Sequence, residues 1–123
     1  MRVEVRYRDE DPRALRIMAG IKASLGIDVR GLELADVYLV QAEKLPDHAV
    51  VSRVFSDPVA QNVQVSDGAV PSGMLVEVGF KPGVTDTQGI TAAQALGLHG
   101  IENPVVSTSV QYYFASQNGI TSE

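Results

Sequence analysis

The stretch Val76-Glu77-Val78-Gly79-Phe80-Lys81-Pro82-Gly83-Val84-Thr85-Asp86-Thr87-Gln88-Gly89-Ile90 decides the fold. Val76, Val78 and Phe80 alternate with Glu77, Gly79 and Lys81, which is the period of a strand with one apolar and one wet face. Pro82 and Gly83 end that strand, because proline has no ladder N–H and glycine accepts the angles of a tight turn. Thr85 or Asp86 then stands where a side chain caps the first free amides of a helix, and an acid there suits the helix dipole. The same order opens the chain. Val3, Val5 and Tyr7 alternate with Arg2, Glu4, Arg6 and Arg8, and Asp9-Glu10-Asp11-Pro12 leads into a helix.

Outward from these two starts the pattern is regular. Asp11 as N-cap and Pro12 at the first helical position predict a helix over about Pro12 to Leu25, closed by Gly26. Leu15, Met18, Ile21, Lys22 and Leu25 give it one face. Asp28 to Glu43 reads as a strand whose phase slips at Ala35-Asp36, which predicts a bulge or bend near Ala35. Leu45-Pro46-Asp47 opens a shorter helix with Val50, Val51, Val54 and Phe55 on one side, and Asp57-Pro58 stops it. Val63 and Val65 mark a brief strand. Ser66-Asp67-Gly68 and Pro71-Ser72-Gly73 bracket a linker.

In the second half Ile90, Ala93, Leu96 and Gly97 form a helix face, and small Gly89, Ala93 and Gly97 let that helix sit close to a sheet. Val106, Thr108, Val110, Tyr112 and Phe114 alternate along a long final strand, followed by a turn at Ser116-Gln117-Asn118-Gly119. Laid together, Val3-Glu4-Val5 meets Val76-Glu77-Val78, Ser24-Leu25-Gly26-Ile27 meets Leu98-His99-Gly100-Ile101, and Val37-Tyr38 meets Gln111-Tyr112. The reading is an α+β fold of ferredoxin-like character. Tandem β-α-β units form a mainly antiparallel sheet with helices on one face. Residues 1–70 make the first half and residues 71–123 a second, incomplete half, together one domain. The incomplete half is expected to leave a strand edge open and to drive self-association.

Composition narrows the function classes. A net charge of −5 argues against nucleic acid as a main partner, since phosphate binding wants a basic stripe. No apolar run approaches a membrane span. With no cysteine there is no disulfide, thiolate metal site or cysteine nucleophile, and a cytoplasmic address is the simplest expectation.

Chemistry-bearing residues are sparse. His48 and His99 stand in different halves without companion ligands, so no metal site is expected. Asp9, Glu10 and Asp11 open a helix, where capping explains them. Ser107, Thr108 and Ser109 sit on a strand with no histidine partner at fixed spacing. Gly83 and Gly89 flank a helix start, but Ile90 stands where a phosphate loop needs lysine. No catalytic, cofactor-binding or metal-binding residue is assigned. The charged row Arg2, Glu4, Arg6 and Arg8, with Tyr112 and Tyr113 on opposite faces of the last strand, suits either a protein-binding sheet face or an ordinary solvated one.

Two phrases resemble a known family. Phe55-Ser56-Asp57-Pro58-Val59-Ala60-Gln61 and Val76 to Ala92 resemble, in order and spacing, the PurS-like amino-terminal region of phosphoribosylformylglycinamidine synthase. The resemblance implies a non-catalytic structural domain of de novo purine biosynthesis. It would bridge a synthetase (PurL) and a glutaminase (PurQ) and help ammonia transfer, while the full enzyme, a ligase, turns FGAR, glutamine and ATP into FGAM. ATP and Mg are then expected in the synthetase domain and not on this chain. The motif residues it singles out are Lys81, Pro82, Gly83, Asp86, Gly89, Asp57, Pro58, Gln61 and Tyr112. The alternative is a free-standing ferredoxin-like regulatory module that holds a small ligand near Gly73, Gly79 and Gly83.

Overall fold

The computed structural model describes residues 1–29, 31–57, 59–66, 74–79 and 85–114, with Met74 and Leu75 described by their backbone alone. Eight elements follow in chain order: β1 (Arg2–Tyr7), α1 (Pro12–Leu25), β2 (Leu32–Gln41), α2 (His48–Phe55), β3 (Gln61–Ser66), β4 (Met74–Gly79), α3 (Thr87–Leu98) and β5 (Val105–Phe114). The strands form one antiparallel sheet in the order β3-β1-β2-β5-β4, so the fold is α+β. Among the described residues no helix is long and apolar enough to cross a membrane.

Local chemistry sets the helix ends. The Asp11 carboxylate accepts from the Arg13 N–H at 2.9 Å, and Gly26 closes α1 in the left-handed region, its N–H donating to the Lys22 carbonyl. Asp47 caps α2 through the Val50 N–H at 3.0 Å. Of the two candidates at α3, Asp86 is the cap, accepting from the Gly89 N–H at 2.8 Å. Pro58, the expected stop of α2, lies outside the described residues, as do Phe80, the linker at 67–73 and the turn at 116–119.

All three helices cover one sheet face. α2 and α3 close over Val3, Val5, Tyr38, Val40 and Val106 with Val51, Phe55, Ala92 and Leu96, and the Tyr38 and Phe55 rings tilt together at 4.5 Å. α1 covers Leu32 and Leu34 with Ala14, joined by half-buried Ile17, Met18, Val110, Tyr112 and Phe114. The inward face of α1 is therefore the expected one only in part, at Met18. Leu15 and Leu25 point outward, and Ala14, a residue too short to dominate a hydrophobic pattern, is the one buried.

Further expectations change. β2 carries no bulge: its register with β5 runs unbroken from Leu32↔Phe114 to Gln41↔Val105. The phase slips in the sequence because β2 is central and buried on both faces, with Ala35 and Val37 on one and Leu34, Tyr38 and Val40 on the other. The mainly antiparallel sheet expected of the tandem units is present. β1–α1–β2 and β4–α3–β5 each join antiparallel neighbours, and only β2–α2–β3 links parallel strands, with β1 lying between them. Of the expected α3 face Leu96 is buried and Ala93 packs beside it, joined by Gly89 and Ala92, while Ile90 is exposed. Its rotation is set by Gly89, where a Cβ would lie 2.3 Å from the Val106 carbonyl; at Gly97 a Cβ would meet open space.

The two units share one register. Val3 pairs with Tyr38 as Val76 pairs with Tyr112, and Glu4 with Val37 as Glu77 with Gln111. β2 and β5 then meet so that Ala35↔Gln111 and Val37↔Ser109 flank Asp36↔Val110, the one pair that maps onto itself. An approximate twofold axis normal to the sheet at Asp36↔Val110 relates the units and keeps α1 and α3 on the same face. Gly26 and Gly100, equivalent in that relation, both hold positive φ.

Candidate functional site

Among the described residues, the sheet face that carries no helix (the helix-free face) holds the densest polar arrangement. Strand alternation puts Arg2, Glu4 and Arg6 of β1, Ala35, Val37 and Leu39 of β2, Ser109 and Gln111 of β5 and Glu77 of β4 on that side. Arg2 is the hub. Its Nε donates to Glu4 Oε2 at 2.9 Å, and its Nη2 donates to both Glu77 Oε1 and Gln111 Oε1 at 2.7 Å. Arg6 reaches the second oxygen of Glu4 at 2.9 Å, and the Ser109 hydroxyl donates to Glu77 at 3.0 Å.

The charged row read as a protein-binding or a solvated face divides: Arg2 and Glu4 are buried, Arg6 is half-buried and Arg8 is exposed. Arg2 and Gln111 are only 7% and 1% exposed, and Glu4 is buried with them. In the register Val37 lies between Glu4 and Ser109, so the guanidinium that spans β2 forms part of its roof. The charges are matched, as burial demands: Arg2 and Arg6 against Glu4 and Glu77. The hydrogen bond from Arg2 holds the Glu77 carboxyl below its ordinary range, and the same bond raises the Arg2 guanidinium. Beside the network Leu39 and Val105 are exposed, giving the face an apolar rim.

On the helix face Arg13 of α1 bridges Asp11 and Asp36, with Nη2 to Asp11 Oδ2 at 2.8 Å and Nη1 to Asp36 Oδ1 at 3.0 Å. The hydrogen bond to Asp11 leads in raising its guanidinium, and the Tyr7 ring lies 6.0 Å beneath it. At α3 burial alone would raise Asp86, but bonds from the Gly89 N–H and from the Thr108 hydroxyl and N–H hold it low. Gln88 donates to the Tyr38 hydroxyl at 2.7 Å, and burial raises that phenol. These groups are committed to caps and strand ends. The Asp86 carboxylate thereby ties the start of α3 to Thr108 of β5.

The described motif residues do not gather. Asp57 and Gln61 share the turn into β3: the Asp57 N–H donates to Gln61 Oε1 at 2.9 Å, and the Gln61 N–H donates to the Asp57 carbonyl at 2.8 Å. Asp86 and Gly89 sit on β5, two strands and more from that edge. Tyr112 packs beneath α1. Lys81, Pro82, Gly83, Pro58 and Gly73 lie outside the described residues. Gly79 lines a hollow of about 190 Å³ with Val78, Gln88, Thr108, Ser109 and Val110, below the range of roughly 300–1,000 Å³ that small-molecule sites occupy. A second hollow of about 320 Å³ lies where β1 meets α1, lined by charges of both signs including Arg6, Arg8, Asp9 and Glu33. His48 and His99 are both exposed, and among the described residues no three potential ligands converge on a metal.

The role of Glu77 and Gln111 was missed in the sequence. The available signal was the repeat itself, since Glu77 stands where Glu4 does and Gln111 replaces Val37. No protein-family model, curated protein or solved structure matches the chain.

Proposed function

We propose that the chain is a non-catalytic scaffold domain of the PurS type, with a ferredoxin-like sheet, serving a phosphoribosylformylglycinamidine synthase. It holds the synthetase against the glutaminase and leaves the ATP- and glutamine-dependent chemistry to them. The shared register about Asp36↔Val110 carries this reading. Two strand–helix–strand units joined in one sheet reproduce, within a single chain, the surface of a symmetric pair, and such a surface presents matched contacts to partners. The polar groups fit the same reading, because Arg2, Glu77, Gln111, Asp86 and Thr108 are spent on joining strands and capping a helix. The helix-free face, with Leu39 and Val105 beside a neutralised network, is the surface offered to a neighbour.

Mixing the chain with separately purified synthetase and glutaminase tests the assignment. Co-elution of the three, with a rise in glutamine-dependent FGAM formation and none in ammonia-dependent formation, is the expected result. No association and no effect on either rate removes it.

A further inference from the structure

We propose that the gap between the end of β1 and the start of β2 binds a free α-amino acid, with its carboxylate on Arg8 and its ammonium on Glu33. The two strands part before either ends. Their ladder stops at Val5↔Asp36, although β1 stays beside β3 as far as Tyr7↔Gln61 and β2 stays beside β5 back to Leu32↔Phe114. The hollow of about 320 Å³ occupies the space left between Arg6-Tyr7-Arg8 and Leu32-Glu33-Leu34, which is room for a molecule of this size. The second unit is drawn tighter at the same place. Its ladder runs one pair further, to Gly79↔Ser109, the counterpart of Arg6↔Ala35. Beyond that pair the Asp86 carboxylate holds the N–H and hydroxyl of Thr108, the counterpart of Leu34, at 2.7 and 2.8 Å. In the first unit the capping acid Asp11 is turned to Arg13 instead, at 2.8 Å. The first unit therefore keeps open what the second draws together.

Charge names the ligand. Continued past Val5↔Asp36, the register would set Arg8 opposite Glu33, and opposite charges so placed attract. The two do not meet. Both are exposed, both line the hollow, and among the described residues neither joins an ion pair. Arg8 spends only its Nε, on the Gln61 carbonyl at 3.3 Å, which leaves both Nη groups for a carboxylate. Arg6 and Asp11 are committed, to Glu4 and Arg13. A cation and an anion held apart across a cavity, each without a counterion, match the two ends of a zwitterion. Asp9 and Glu10 line the same hollow without ion-pair partners among the described residues, so acid exceeds base there. The site therefore favours a neutral or basic amino acid over an acidic one. This inference is independent of the scaffold reading, which is decided by association with the synthetase and glutaminase.

Calorimetric titration and thermal unfolding of the chain with glycine, glutamine, lysine and glutamate test it, with acetate and methylamine as one-ended controls. Glutamine and lysine are expected to bind with millimolar or tighter affinity and to raise the melting temperature. Glutamate, of nearly the same shape as glutamine, should bind more weakly, and acetate or methylamine alone should do neither. Arg8→Gln and Glu33→Gln should each weaken binding about tenfold or more. Arg16→Gln, exposed on α1 and outside the hollow, should leave it unchanged. No binding of any of the four amino acids overturns the proposal. So does acetate or methylamine bound as tightly as glycine, glutamate bound as tightly as glutamine, or an unaltered affinity in the Arg8 and Glu33 variants. The ligand comparisons need only the parent chain, so they decide the matter even where a variant fails to fold.

Discussion

Arg2 on β1 and Glu77 on β4 meet at 2.7 Å although β2 and β5 lie between their strands. That single ion pair ties the first strand of one half to the first strand of the other, over the helix-free face. Its neighbours Glu4 and Gln111 leave the guanidinium almost no contact with water, so the pair answers to removal of either partner more sharply than a surface pair does.

Arg2→Met is expected to lower stability by roughly 3 kcal/mol, because Glu4 and Gln111 are left buried with one partner fewer each. Glu77→Gln keeps an acceptor for Arg2 and sits on a carboxylate about one-third exposed, so about 1 kcal/mol or less is expected. Urea unfolding of both variants checks the order. Equal losses count against Arg2 as the hub.

Acid should erode the fold through Glu77 and Asp86. Both carboxyls are held below their ordinary values, Glu77 by Arg2 and Asp86 by its bonds from Gly89 and Thr108. A carboxyl lowered in the folded state adds stability that is complete above its unfolded pKa, about 4.3 for Glu and 3.9 for Asp, and is lost as pH falls through the folded value. Stability should therefore decline below about pH 4, and more shallowly in Glu77→Gln and Asp86→Asn. Denaturant midpoints measured in pH steps test this, and variant curves parallel to that of the parent chain would refute it.

Gly89→Ala and Gly20→Ala should differ in sign. At Gly89 a Cβ would meet the Val106 carbonyl at 2.3 Å, which forces α3 off β5 and costs about 1–3 kcal/mol. Nothing lies within 4 Å of a Cβ at Gly20, in the middle of α1, so alanine there gains up to about 1 kcal/mol of helix propensity. Thermal unfolding of the two variants reads both signs directly.

Much of the framework was legible in the chain. Asp11, Pro12 and Gly26 bounded α1, Asp47 opened α2, and the Val-x-Val alternations located β1, β3 and β4, because caps and strand periods are local chemistry. The alignment of Val3 with Val76 and Tyr38 with Tyr112 was likewise readable before any register was known. Helix rotation was not. Gly89 turned α3 and Ala14 turned α1, and neither small side chain weighs in a hydrophobic pattern, though each decides how closely two backbones approach. The smooth course of β2 was hidden for a related reason, since a strand buried on both faces has no period to read.

By itself, then, the order of residues determined the elements, their ends and their duplication, all of which depend on neighbours a few positions away. Only the tertiary structure decided that Arg2 and Glu4 are buried, that Arg2 reaches Glu77 across two strands, and that Val3 is covered where Val76 is bare. Those outcomes depend on which strands become neighbours, and strand order is settled by packing over the whole sheet.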